Sequence, residues 1–577
     1  MRNLRAYLLL GALIALFSLM VMPIAAQDEG GQGGIVVEGN LGGDPATFNP
    51  IVTNDTASQQ VATFLFPTLF GIDPQTTIFV PNAPGSVAKD WTVSEDGTVY
   101  TVTLRDDWTW SDGTPITSED VVYGFDAVAS GETGSPLGYI LDAVKSVEAK
   151  DDQTVVVTFN SAACNGINNA AAIPVVPAHT LKELTGDDFS KIDTLEWNLA
   201  PDVTAGIFKY GEFRPSEQVG LVADQNYPDT VLGYVNPAGW VYKNIPDETV
   251  MNEQFLAGEL SINAPPLERH EDFRTRIQAG EYQGAEWSAN SYNYVAWNAG
   301  DPKNPQNGLD EDGNPIEQGH HPLFGDPRVR QALAMAVNID DIIAGAAYGE
   351  GTRVNTASVP TSWAFNADIK GIPYDPEAAD ALLTEAGWVD DDNNPDTPRV
   401  AKGAMYAEDG TPFEFELNTN SGNVTREAIG TIVQDQLSKV GVKVNFQPID
   451  FNVLIEKMTG QTYDAVILGW SLSFPDDPDF SFAFTPQNDV VGAGFNFVSY
   501  NNPKVTELLD QANNLPGCDS GERAKLYQEA QKLLADDQPY MFLFSAISQV
   551  VAQPNLQNFD PLPNQTRWNI DAWGLQP

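Results

Sequence analysis

Between Pro412 and Trp470 the chain alternates strand and helix without a break. "PFEFEL" reads as a strand, Arg426 to Val440 as a helix, "VKVNFQPI" as a strand, Asn452 to Met458 as a short helix and "YDAVILGW" as a third strand. Strands that alternate with helices predict an α/β sheet with helices packed on its faces. Ligands of open α/β sheets sit beyond the carboxyl ends of the strands. That rule makes Trp470, Ser471, Ser473 and Phe474, directly after "DAVIL", candidate site residues. With 577 residues the chain has room for two or three domains with substantial cores.

Two further units carry clear end signals. "TVYTVTLRDDW" alternates Tyr100, Val102 and Leu104 with polar residues, as a half-buried strand does. "SDGTP" then forms a turn, and Thr117 with Asp120 three residues on opens a helix through Val121, Val122 and Phe125. Trp108 and Trp110 on the joining loop read as packing residues of this unit. In "FGDPRVRQALAMAVNIDDII", Asp326 caps a helix and Pro327 takes its first position, where a missing N–H is harmless. Strand "TVVVTF" (Thr154 to Phe159) belongs with the first unit. The polar stretches Gly300 to Pro322 and Val389 to Pro412 lack periodicity and read as surface loops.

Charge and termini narrow the function. Against 79 acidic residues stand 30 basic ones, a net charge of −49 spread along the chain. Such a surface repels nucleic acid and anionic headgroups. Arg2 and Arg5 precede an apolar run from Ala6 to Ala26 that ends "MPIAA", the pattern of a signal peptide cut after Ala26. The protein is therefore expected outside the cytoplasm, periplasmic or extracellular, with retention of the apolar run as a membrane tether left open. Cys164 and Cys518 are the only cysteines, and the sequence leaves their pairing open. The four histidines, including the pair His320 and His321, show no catalytic or zinc spacing. Asp390, Asp392, Asn394 and Asp396 alternate like the first half of a calcium loop, but Pro395 stands where glycine is wanted and Ala401 where glutamate is. That run is a weak calcium candidate beside its reading as an acidic loop. No cofactor is expected.

Seven segments in order resemble one family. They are "GDPATFNPI", the stretch from Ala88 to Val128, "GIFKYGEFRPSEQVGLVADQNY", "NEQFLAGEL", "YNYVAWNAG", "DPRVRQALAMAVNIDDII" and "ERAKLYQEAQKLLADDQPYMFLF". Together they are similar to the family 5 solute-binding components of ABC importers, the oligopeptide, dipeptide and nickel cluster. The resemblance implies a two-lobed, type II periplasmic-binding-protein-like α/β fold with a hinge and an extra subdomain in the first lobe. It implies a signal peptide 1–26, a linker 27–35, a first lobe 36–286 with an inserted subdomain at about 60–200, a second lobe 287–543, and a return 544–577. It also implies a monomer that closes on a small peptide or similar polar solute and delivers it to membrane permease subunits, without catalysis. Ligand contacts are expected from Thr53, Asn54, Asp55 and Thr56, from Tyr294, Trp297 and Asn298, from Trp363, and from the Trp470 to Phe474 strand end. Peptide-binding members place an aspartate after the Gly-Trp of that strand end, to pair with the peptide's amine. Here "GWSLSFPDDPDF" puts Ser473 at the position, with Asp476 and Asp477 a few residues on. An oligosaccharide binder of the same fold is the neighbouring reading, and a secreted hydrolase the reading from another class.

Overall fold

A computed structural model describes residues 33–576 apart from Gly42, Asn54, Ala163, 392–393 and 395–396. The expected signal segment, most of the linker, Asn54, and the calcium candidates Asp392 and Asp396 lie outside the described residues. In chain order the elements used below are β1 (Ile35–Asn40), α1 (Thr56–Leu65), β2 (Ala88–Val93), β3 (Val99–Leu104), α2 (Ser118–Ala129), β4 (Val144–Asp151) and β5 (Thr154–Phe159). Next come β6 (Phe208–Arg214), β7 (Gln218–Ala223), β8 (Gly239–Asn244), β9 (Ile262–Asn263), α3 (His270–Gln278), β10 (Gln283–Ser288) and β11 (Ser291–Trp297). The chain continues through α4 (Pro327–Ala336), α5 (Ile339–Ala346), β12 (Gly351–Arg353), β13 (Glu414–Asn420), α6 (Val424–Ser438), β14 (Lys443–Ile449), α7 (Phe451–Thr459) and β15 (Ala465–Ser471). It closes with α8 (Pro503–Asn513), α9 (Ser520–Asp537) and β16 (Tyr540–Ala552).

One mixed twelve-stranded sheet runs through both lobes in the order β14-β13-β15-β11-β16-β9-β1-β8-β7-β6, with β10 and β12 also pairing β16. The expected β-α-β-α-β run is its edge: β13 lies parallel to both β14 and β15. Strand β16 ties the halves together. Its residues from Tyr540 to Phe544 pair with β11, and those from Ile547 to Ala552 pair with β10. A separate four-stranded sheet, β2-β3-β5-β4, stands in the first lobe.

The cores follow from these layers. In the first lobe Val36, Phe64, Val102, Trp110, Val121 and Trp240 share one core, so the four-stranded sheet packs into the lobe rather than standing alone. Trp108 donates through Nε1 to the Ala205 carbonyl at 3.1 Å, and Trp110 donates to the buried Asp120 carboxylate at 3.2 Å. That carboxylate also accepts from the Thr117 N–H at 2.8 Å, closing the helix start expected there. Both tryptophans are packing residues, as expected. In the second lobe β11 is apolar on both faces, as a strand covered on both sides must be. Val295 and Trp297 enter one core with Leu333, Val433 and Ile467. Tyr292, Tyr294 and Ala296 enter the other with Leu468, Leu508 and Phe542.

The chain end returns to the first lobe. Arg567 pairs with Glu38 on β1, and Trp573 is fully buried in the first core. Cys164 and Cys518 form a disulfide with Cα atoms 5.5 Å apart, resolving the pairing that the sequence leaves open. Among the described residues no helix is long and apolar enough to cross a membrane.

Candidate functional site

Three chain segments meet at one edge of the second-lobe sheet, beside the strands that lead into the first lobe. Strand β15 brings Trp470 to this edge and β13 brings Asn420. Strand β11 runs antiparallel to β15 and begins here, with Tyr292 opposite Trp470. The loop after β15 is fastened to the start of β11, because Asn290 Nδ2 donates to the carbonyls of Leu472 at 3.1 Å and Ser473 at 2.9 Å.

Aromatic rings wall this edge. Trp470 is half-buried, with ring centroids of Phe482 at 5.0 Å, Phe495 at 5.7 Å, Phe497 at 5.7 Å and Tyr294 at 6.3 Å around it. Tyr294 is fully buried and stacks at 4.1 Å on Tyr540, so it stiffens Trp470 from behind. Phe495 and Phe474 are 50% and 41% exposed. Large rings left open beside a rigid support offer contact area with little rotamer entropy to lose.

A cation stands at the same edge on the other face of the sheet: side chains alternate along β15, so the position of a Gly469 Cβ, which meets Arg426, and Trp470 face opposite sides. Asn423 caps α6 by accepting from the Arg426 N–H at 3.0 Å, which fixes Arg426 in the first turn. Its guanidinium donates to Asn420 Oδ1 at 2.8 Å and makes a long contact of 3.5 Å with Asn293 Oδ1. Among the described residues no carboxylate lies within ion-pair distance of it, and burial pulls its pKa below the ordinary arginine value. A Cβ on Gly469 would sit 3.0 Å from Arg426 Nη2 and 2.9 Å from the Tyr292 carbonyl, so glycine is what leaves the guanidinium its space. The sequence reading misses Arg426; its only signal is a lone base just after a strand-end turn.

The acidic loop 476–479 lies against Trp363, which packs into the same core as Trp470. Asp476 Oδ2 accepts from Ser362 Oγ at 2.8 Å and from the Trp363 N–H at 3.0 Å, while Trp363 Nε1 donates to the Asp476 carbonyl at 3.3 Å. Asp476 thus holds Trp363 in place, leaving its own Oδ1 buried without a partner. Burial raises its pKa. Burial, with repulsion from Asp479, pushes half-buried Asp477 up to about 6. Ser473 Oγ accepts from the Asp477 N–H at 3.3 Å, and Ser473 and Ser471 are exposed.

Two expected contacts are corrected by strand register. Trp297 pairs with Ala465, five residues before Trp470, which puts it at the opposite end of the sheet, roughly 17 Å away at strand rise. Its ring is fully buried against Phe324 and Phe415. Asn298 follows it and is used internally: its Nδ2 donates to the carbonyls of Gln461 and Tyr463 at 3.1 and 2.8 Å. In the first lobe Asp55 caps α1, with Oδ1 accepting from the Ser58 N–H at 2.8 Å. Thr53 Oγ1 lies 3.5 Å from the Pro50 carbonyl and Thr56 is exposed at the helix start. His321 spends Nε2 on Asp464 at 3.1 Å and Nδ1 on the N–H groups of Leu323 and Phe324. Cavities of about 630 and 570 Å³ lie elsewhere, one along α8 and α9 and the other near Gly300 and Tyr500.

The fold and this edge define a two-lobed α/β binding protein, and comparison with known proteins agrees. Residues 83–491 match the family described as Bacterial extracellular solute-binding proteins, family 5 Middle, and the chain belongs to that family. It is 28% identical over 551 residues to the oligopeptide-binding protein AppA of Bacillus subtilis (strain 168), covering 94% of this chain and 92% of that protein. The structure of AppA in complex with a nonapeptide superposes with a TM-score of 0.69, covering 95% of this chain and 100% of that one. HbpA2 from Haemophilus parasuis shares the fold at a TM-score of 0.75 and 21% identity, covering 94% and 100%.

Proposed function

We propose that this exported protein captures a peptide with a free carboxylate between its lobes and hands it to the permease of an ABC importer, without catalysing any reaction. The observation that carries the reading is Arg426: a half-buried guanidinium with no acid partner among the described residues, at the edge of the sheet where β15 ends and β11 begins. A carboxylate there gains charge-assisted hydrogen bonds that the protein itself does not supply. Asp477, with a carboxyl that burial keeps close to neutral pH, is the candidate partner for the solute's ammonium in place of an aspartate at Ser473. The likeness to AppA, crystallised with a nonapeptide, supports a peptide over a sugar.

In this reading the first lobe comprises about 36–286 and the second 287–543, and the chain returns from about 544. The crossing strands β10, β11 and β16 are the hinge. Trp470, Ser471, Ser473, Phe474 and Trp363 contact the solute from the second lobe; Thr53, Asp55 and Thr56 approach it from the first. Closure moves solute and rings out of water, so binding energy shifts an open–closed equilibrium toward the form a permease reads. The test is native mass spectrometry of gently purified protein, then identification of what denaturation releases. A released peptide supports the reading; a released neutral oligosaccharide overturns it.

A further inference from the structure

The lobes also meet away from the hinge strands. Cys164 follows β5 in the first lobe, and Cys518 lies in the loop between α8 and α9 of the second, 354 residues away. The contact extends past the sulfurs: the Cys164 N–H donates to the Asn513 carbonyl at 2.7 Å, and Cys164 Sγ lies 3.4 Å from the Leu515 carbonyl. The chain itself passes between lobes at β10–β11 and along β16, where Arg274 on α3 reaches Glu350 at 2.8 Å. The disulfide is thus a further covalent crossing, outside all three hinge strands.

We propose that the Cys164–Cys518 disulfide is a tether that limits how far the lobes open and so slows exchange of bound solute. A bridged cysteine pair keeps its Cα atoms within about 7 Å. Hinge opening separates facing surfaces more the farther they lie from the hinge, so the intact bridge forbids a free swing. What remains is rotation about a line through both the hinge strands and the bridge. The solute-free protein then stays nearer its bound shape, less ordering is lost on binding, and the occupied state persists. This inference rests on the two-lobed binding reading, yet its test needs no solute.

The full chain, purified without reductant and treated with iodoacetamide, should show no alkylation by intact mass. Dithiothreitol then supplies two electrons and two protons: the S–S bond breaks, two thiols form, and the reagent closes to its cyclic disulfide. Small-angle X-ray scattering of the solute-free chain should move to a larger radius of gyration on reduction. Cross-linking the freed thiols with a short bis-maleimide should restore the original curve. Cys164→Ser with Cys518→Ser should scatter like the reduced chain with unchanged far-UV circular dichroism; reduction of the native chain decides where that variant fails to fold. Two alkylated thiols in untreated protein, or superimposable curves before and after reduction, would overturn the tether. A chain that opens on reduction but binds no solute would overturn the binding function and leave the tether standing.

Discussion

Replacing Arg426 with glutamine probes the site at its cation. Glutamine keeps a donor for Asn420 Oδ1, now met at 2.8 Å, and removes the charge and the fork. A charge-assisted hydrogen bond to a partly buried partner is worth about 1.5–3 kcal/mol, so affinity should fall by about 10- to 150-fold. The loss must be specific to the carboxylate. Calorimetry on the wild type should find the recovered peptide tighter than its C-terminal amide by that factor, and the variant should bind acid and amide alike. The four measurements form a cycle whose coupling isolates the contact. Stability moves the other way: burial already pulls the pKa of Arg426 down because the charged form is disfavoured there, so the neutral variant should unfold at no lower temperature. A wild type that binds acid and amide equally would refute the assignment.

The Asp477 carboxyl titrates near 3.8 when unfolded and about 6 when folded, so the folded chain holds the extra proton and loses stability as pH rises through that window. A solute ammonium reverses this by favouring the carboxylate: affinity should rise by up to about tenfold per pH unit below about 6 and level off above it. Calorimetry in two buffers of different ionisation enthalpy should detect the released proton, and a pH-independent affinity would exclude Asp477. Trp470→Ala should cost roughly 2 kcal/mol of binding, about 30-fold, by fluorescence titration or calorimetry, with a smaller loss of stability than Trp297→Ala because its ring is only half-buried. Trp297→Ala should instead cost about 3–5 kcal/mol of stability in denaturant unfolding and leave solute affinity unchanged, since its ring fills the core against Phe324 and Phe415. Trp110→Ala should behave like Trp297→Ala, with the added loss of the hydrogen bond that holds Asp120.

The features that local chemistry controls were readable before the structure. Apolar periodicity located β13, β14, β15 and the helices between them, and Asp326 followed by Pro327 located the start of α4. The start of α6 is set by a cap rather than by periodicity: it begins at Val424 because Asn423 caps it, two residues ahead of the expected start. The strand-end rule picks out the Trp470 edge because it depends only on strand direction, and β15 does end there. Trp297 and Asn298 went astray because direction and pairing must both be known. "YNYVAW" is apolar on both faces, so no pattern within it says which end looks toward the hinge. Only its antiparallel register with β15 sends Tyr292 to the open edge and Trp297 to the closed one. Arg426 was hidden for the same reason. A base in the first turn of a helix is ordinarily a surface residue. Its surroundings are distinctive because the order β13-β15-β11 sets that turn beside Gly469 and Asn293, which lie far from it in sequence. Long-range pairing also brings Cys164 to Cys518. The residues that make this edge chemically distinctive are therefore those whose neighbours the sheet order chooses, and the strongest tests of function fall on Arg426 and Asp477 rather than on the more conspicuous tryptophans.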